Sequence, residues 1–276
     1  MQEVKAVIDP GYSAFKFALV AQGNLLTWKE PTLVSLVPDF QSAMDGVEPD
    51  DSCLVEHQGK KYLVGSDADA GLRVFQEDSF EFLYKRVLTL FLKKLLKRLK
   101  PDEKLNTLAL TVSPADFYRK EEILTTVKEV LPDVQVRLFP QGLGAWLLAG
   151  MPSDCVVVDA GYNTVDLLPF HDGKFQKEHC KSFKGAGVVS FLKQISYDDP
   201  HNLVKTLENG DRKIRETLVK HYPDYLASIL QPYLSARAIF AGGGALFIPR
   251  GTRLPFKYAV VKDPVFANVK GVATLI

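Results

Sequence analysis

Two stretches of this chain, 150 positions apart, share one grammar. Val7–Phe17 reads VIDPGYSAFKF, and Val156–Leu168 reads VVVDAGYNTVDLL. In each, a β-branched run ends on an aspartate (Asp9, Asp159), a glycine follows two residues later (Gly11, Gly161), and an alternating run returns. That pattern predicts a buried strand, a tight turn and an antiparallel partner. Glycine lets such a turn take positive φ and lets backbone N–H groups approach an anion. Two acid-tipped hairpins imply duplicated cores and a metal–nucleotide held in a cleft between two similar domains.

Composition removes several alternatives. A chain of 276 residues with 46% hydrophobic content can bury two modest cores. A net charge of +1 exerts no global pull toward nucleic acid or membrane. Cys53, Cys155 and Cys180 have no CxxC spacing, which argues against a zinc site or disulfide scaffold and for a reducing cytoplasm. The N-terminus MQEVKAVID enters a strand directly and does not read as a signal peptide. No apolar stretch approaches the ~18 residues of a membrane span.

Alternation predicts strands at Val4–Ile8, Ala14–Val20 and Asn24–Trp28, and again at Asp154–Val158, Thr164–Pro169 and Lys174–His179. Residues 31–78, with Pro31, Pro38 and Pro49, read as an irregular insertion holding one hairpin around Gln58-Gly59. Apolar spacing predicts a helix over Ser79–Lys100, capped by Ser79. Further helices are expected at 117–131, 142–149, 188–195, 202–207, 211–230 and 264–275, with strands at 105–112, 134–139 and 236–240. Such alternation is an α/β pattern.

Four features carry chemistry, each with a plainer reading beside it. Gly242, Gly243 and Gly244, between a strand and an expected helix, suit either a ligand passing close to backbone or a tight turn. Lys16, on the returning strand, suits a phosphate contact or a solvated position. Gln141 suits an amide that orients a water or an ordinary residue at a helix start. The cations Lys85, Arg86, Lys93, Lys94, Lys97 and Arg98 suit an acidic partner or a solvated face of a core helix.

Taken in order, these segments resemble the actin-like ATPase superfamily. VIDPGYSAFKF resembles its first phosphate loop, FPQGLGAWLLAG (139–150) its first connecting helix, and VVVDAGYNTVDLL its second phosphate loop. AIFAGGGALF (238–247) resembles the adenosine motif and FANVKGVATL (266–275) the second connecting helix. Tyr12, Lys16, the Thr164-Val165-Asp166 run and SPADFYRKEE (113–122) resemble the plasmid-segregation actins of the ParM and AlfA type.

The resemblance implies an α/β fold of two actin-like (ribonuclease H-like) domains with a nucleotide cleft between them. Domain I would comprise 1–141 with 262–276, and domain II 142–261. About 82 residues separate Asp159 from Ala241, so the small outer subdomain of domain II would be reduced or missing. The resemblance assigns catalysis to Gln141 and Asp159, and a water-bridged Mg²⁺ to Asp9 and Asp159. It assigns nucleotide binding to Asp9, Gly11, Tyr12, Ser13, Lys16, Gly161, Tyr162, Asn163, Thr164, Gly242, Gly243 and Gly244. Lys213 and Glu216 are substitutes for the usual purine contacts. The implied protein is a cytoplasmic ATPase, with GTP as the other nucleotide, that polymerises head to tail. It would segregate plasmid DNA through a DNA-binding adaptor, without reading DNA sequence itself and without a membrane. The alternatives are a small-molecule kinase, with Asp116 as base, or a non-polymerising ATPase.

Overall fold

The computed structural model describes residues 1–37, 53–70, 74–75, 79–195, 211–234 and 236–276. The chain forms two compact units, Met1–Leu110 with Arg119–Leu138 and Ile276, and Thr111–Tyr118 with Phe139–Leu275.

The first unit opens with the expected meander: Gln2–Asp9 (β1), Ala14–Ala21 (β2) and Asn24–Pro31 (β3). Val34–Val37 (β4), Leu54–His57 (β5), Lys60–Val64 (β6) and Val74–Phe75 (β7) follow. Leu88–Arg98 (α1), Glu103–Val112 (β8), Lys120–Val130 (α2) and Gln135–Pro140 (β9) complete it. The main sheet runs β3-β2-β1-β8-β9, with β1 antiparallel to β2 and parallel to β8. A central strand with a parallel neighbour is covered on both faces, so Val7-Ile8 and Leu108-Ala109-Leu110 are buried consecutively.

Residues 31–78 are not irregular throughout: they carry a second sheet of order β5-β6-β4-β7. Its strands are two to five residues long, too short for alternation to stand out among prolines and acidic turns. The hairpin at Gln58-Gly59 is present. Residues 38–52, 71–73 and 76–78 lie outside the described residues.

The helix expected from Ser79 is present, but Glu81–Val87 winds as a π-helix before α1 begins. Ser79 Oγ accepts from Phe82 N at 3.1 Å. Phe82, Leu83, Tyr84 and Val87 are buried along this segment. Most of the helix's cations are used inside the unit. Lys93 and Lys97 donate to the carbonyls of Glu56 (2.8 Å) and Leu54 (2.6 Å). Lys94 donates to Val64 O (2.6 Å) and pairs with Glu30 and Asp67, while Arg98 pairs with Glu30 at 3.3 Å. Lys85 reaches Glu122 at 2.7 Å. The basic stripe therefore fastens the small sheet, a third role that neither sequence-level reading contained.

The second unit contains Leu143–Leu148 (α3), Cys155–Ala160 (β10), Thr164–His171 (β11), Lys174–Phe175 (β12), Lys181–Lys184 (β13) and Val188–Gln194 (α4). Arg212–Leu230 (α5), Arg237–Ala241 (β14), Tyr258–Val260 (β15) and Ala267–Ala273 (α6) follow. Its sheet runs β12-β11-β10-β14-β15, with β13 also on β11. β10 is antiparallel to β11 and parallel to β14, repeating the β2-β1-β8 arrangement. Alternate residues of β10 serve two layers: Val156, Val158 and Ala160 pack with α4 and α5, while Cys155 and Val157 join Ala145 of α3 and Ala267 of α6.

Three expectations change here. The strand at 174–179 lasts only two residues before a 3₁₀ turn at Lys177–His179. The glycine-rich segment leads into a five-residue 3₁₀ helix, Gly243–Phe247, not an α-helix, and it stops at Ile248, where Pro249 disfavours helical backbone. The last helix starts as a 3₁₀ turn, Pro264–Phe266. The expected helix at 202–207 lies outside the described residues. Among the described residues between β11 and β14, no strand pairs outside this sheet. No described helix is long and apolar enough to cross a membrane.

Candidate functional site

The first turn sits where β1 hands over to β2. Asp9 is buried and lies opposite Lys16 in the ladder, with Lys16 Nζ 3.3 Å from Asp9 Oδ2. The lysine is thus turned to the strand end and not into solvent. Gly11 does not use the positive φ expected of it. Its value is close approach: a Cβ there would lie 2.9 Å from both Ala14 O and Lys16 Nζ. The turn's carbonyls are occupied from within. Thr32 donates from its hydroxyl to Gly11 O and from its N–H to Ser13 O (2.9 Å).

The second turn, after Asp159, repeats this design with different parts. Gly161 again lacks positive φ; its N–H closes the turn on Thr164 O at 2.8 Å. Val188 N donates to Gly161 O (3.2 Å), Val189 N to Tyr162 O (2.9 Å), and Gly185 N and Gly187 N to Asn163 O (3.0 and 3.3 Å). Both turns therefore have acceptors drawn inward. Carbonyls facing a ligand repel phosphate, so their removal is a condition for an anion site.

The three glycines after β14 serve packing against this second turn. Gly242 has φ +80°, and a Cβ there would lie 2.4 Å from Ala160 O and from Asp159 Oδ1. A Cβ at Gly243 would meet the Tyr162 ring at 3.1 Å, and one at Gly244 would meet Ala160 and the Tyr222 hydroxyl at 3.0 Å. The space their missing side chains leave is filled by the Asp159 strand end and by Tyr162 and Tyr222.

Gln141 and Gly142 are held near the same strand end. Gln141 N donates to Val112 O at 2.8 Å, and Gly142, at φ +94°, opens α3. Asn268 on α6 links this segment to Asp159. Its Oδ1 accepts from Gly142 N at 2.7 Å, and its Nδ2 donates to Asp159 Oδ2 at 2.7 Å. Sequence reasoning passed over Asn268, whose burial and two partners, 126 and 109 positions away, only the fold supplies. Lys213 and Glu216 are exposed on α5, with Glu216 paired to Arg212 at 2.7 Å. Asp116 sits in a turn, its N–H donating to Ser113 O at 2.9 Å.

Asp166 also escaped the sequence reading as a site residue. It stands opposite Asp159 in the β10–β11 ladder, where the first hairpin has Lys16 opposite Asp9. It is 2% exposed, with Oδ2 accepting from Ser113 Oγ at 3.3 Å. Burial, reinforced by Asp159 and Asp116, pushes its carboxyl up to about 7. The folded protein thus holds this proton over a range in which the unfolded chain, near 3.8, has released it. The contribution to stability is full below about pH 4 and is lost as pH rises through 7. In urea titrations, Asp166→Asn is expected to remove that decline, worth a few kcal/mol between pH 4 and 7. Identical pH slopes for parent and variant would refute it.

No family model matches the chain, and no curated protein matches it by sequence. Solved structures match over nearly its whole length. The apo pSK41 ParM protein superposes with a TM-score of 0.65 at 16% identity, over 100% of this chain and 97% of that one. AlfA from B. subtilis plasmid pLS32, solved as a filament, gives 0.63 at 17%, over 99% of each. Ta0583, an archaeal actin homolog in complex with ADP, gives 0.66 at 18%, over 98% and 97%. At such identities the likeness is one of fold. From end to end, this chain carries the actin-like two-domain α/β fold in the form seen in the ParM and AlfA structures.

Proposed function

We propose that this protein is a nucleotide-dependent, filament-forming actin-like ATPase that segregates plasmid DNA in the cytoplasm through a DNA-binding adaptor. The observation that carries the reading is the pair of acid-tipped turns whose carbonyls are engaged from behind. The groups present suit a magnesium nucleotide. Lys16 and turn N–H groups suit phosphate, and Asp9 and Asp159 suit a hydrated Mg²⁺, which when bound supplies charge neutralisation at the phosphates. Tyr12, Ser13, Tyr162, Asn163 and Thr164 belong to the two phosphate loops in this reading. Gly242, Gly243 and Gly244 keep the Asp159 turn in place beside the nucleoside. Gln141 orients the attacking water, and Asp159 polarises it.

The likeness to an ADP complex supports the nucleotide half of the reading, and the likeness to a filament supports the assembly half. Identical subunits joined by one unclosed head-to-tail contact generate a helical polymer. Electron microscopy of the purified protein with Mg²⁺ and ATP, with GTP, and without nucleotide is the direct test. Filaments only with nucleotide, with phosphate released, are expected. Phosphate release without filaments at any protein concentration would remove the polymer. Transfer to an added small-molecule hydroxyl would favour the kinase.

A further inference from the structure

We infer that Asn268 is a positioning residue that sets the two catalytic groups, Gln141 and Asp159, in one geometry; the inference rests on the ATPase reading. Asn268 is 5% exposed, so its side-chain polar atoms need protein partners. One partner, Gly142 N–H, is a donor only, so it must face Oδ1. The amide nitrogen is then directed at Asp159 Oδ2, 2.7 Å away. A single rigid amide plane thus spans the backbone beside Gln141 and the carboxylate of Asp159.

The neighbouring geometry leaves this plane little freedom. α6 crosses α3 backbone to backbone: a Cβ at Gly144 would lie 2.2 Å from Asn268 O. Gln141 is pinned on its other side by its N–H bond to Val112 O. Asp159 Oδ1 rests over Gly242, where a Cβ would come within 2.4 Å of it. With one carboxylate oxygen packed on Gly242 and the other held by Asn268, the amide relates this carboxylate to the water-orienting segment. Hydrogen bonds of this supporting kind change rates by about 10–100-fold when removed.

Two variants separate positioning from folding. Asn268→Ala removes both bonds. Asn268→Asp keeps the volume and the acceptor for Gly142 N–H, but sets a carboxyl against Asp159. Two carboxyls at that distance share a proton, so the variant's acid form can donate to Asp159 as the amide did. Steady-state phosphate release from ATP·Mg²⁺ would be measured from pH 5.5 to 8.5, with binding of a fluorescent ATP analogue and thermal melting alongside. Asn268→Ala is expected to lose about 10–100-fold in kcat, with nucleotide binding within about threefold. Asn268→Asp is expected to be impaired at pH 8 and to recover relative to the parent as pH falls. A parent that neither binds nor hydrolyses nucleotide would overturn the ATPase reading and the inference with it. An active parent with Asn268→Asp showing the parent's pH profile and rate would overturn the inference alone. A folded Asn268→Ala with unchanged kcat would do the same.

Discussion

Replacing Asp159 with alanine is expected to leave nucleotide-dependent polymer in place while slowing phosphate release by about 10²–10³-fold. Assembly needs the nucleotide held, and Lys16, Asp9 and the turn N–H groups would still hold it. Turnover needs a group that polarises water, and Asp159 is the carboxylate tied through Asn268 to the Gln141 segment. Because alanine also removes the partner of the Asn268 amide, Asp159→Asn is the necessary companion. It keeps the volume and an oxygen to accept from Asn268 Nδ2, and discards only the charge. Pelleting and phosphate release measured on the same samples decide the matter. Turnover within threefold of the parent in both variants would remove Asp159 from the reaction. Loss of polymer in both would assign it to binding.

The second large effect is one of packing. Gly271→Ala is expected to destabilise the second unit by about 3 kcal/mol or more. Its Cβ would lie 2.0 Å from Gly144 O and 2.5 Å from Gly144 Cα. These are backbone atoms of α3, so no rotamer change relieves the clash and the helices must move apart. Separation would pull Asn268 from Gly142, so activity should fall with stability. Gly23→Ala is the control. Gly23 has positive φ (+76°), but nothing lies within 4 Å of its Cβ position, and about 1 kcal/mol is expected. Urea denaturation of both variants gives the comparison. A cost below 1 kcal/mol at Gly271 would mean the α3–α6 crossing is looser in solution.

Much of this fold was legible because it is written in local patterns. Asp9 and Asp159 each end a β-branched run, and the ladder register confirms both hairpins, with Asp9 opposite Lys16 and Asp159 opposite Asp166. The helix expected over 211–230 is present, with Asp211 accepting from Ile214 N at 2.9 Å at its start. Within 31–78 the hairpin around Gln58-Gly59 was legible, but the sheet it belongs to was not, because the short strands β4 and β7 gain their identity only from pairing. The π-helical start at Glu81–Val87 was also invisible, since the apolar spacing there fits a regular helix nearly as well.

The site divides along the same line. Residue types and their order determined the two acid-tipped turns, the glycines beside them and the lysine on the returning strand, because strand period and turn chemistry act over a few residues. Only the tertiary structure decided that Gly11 and Gly161 serve close approach and not positive φ, and that Thr32 and the 185–189 segment strip the turns of acceptors. It alone paired Asn268 with Asp159, 109 positions away, and made Asp166 a buried acid. Those outcomes depend on which distant backbone comes within hydrogen-bond range and on how completely water is excluded, and no local window of residues encodes either.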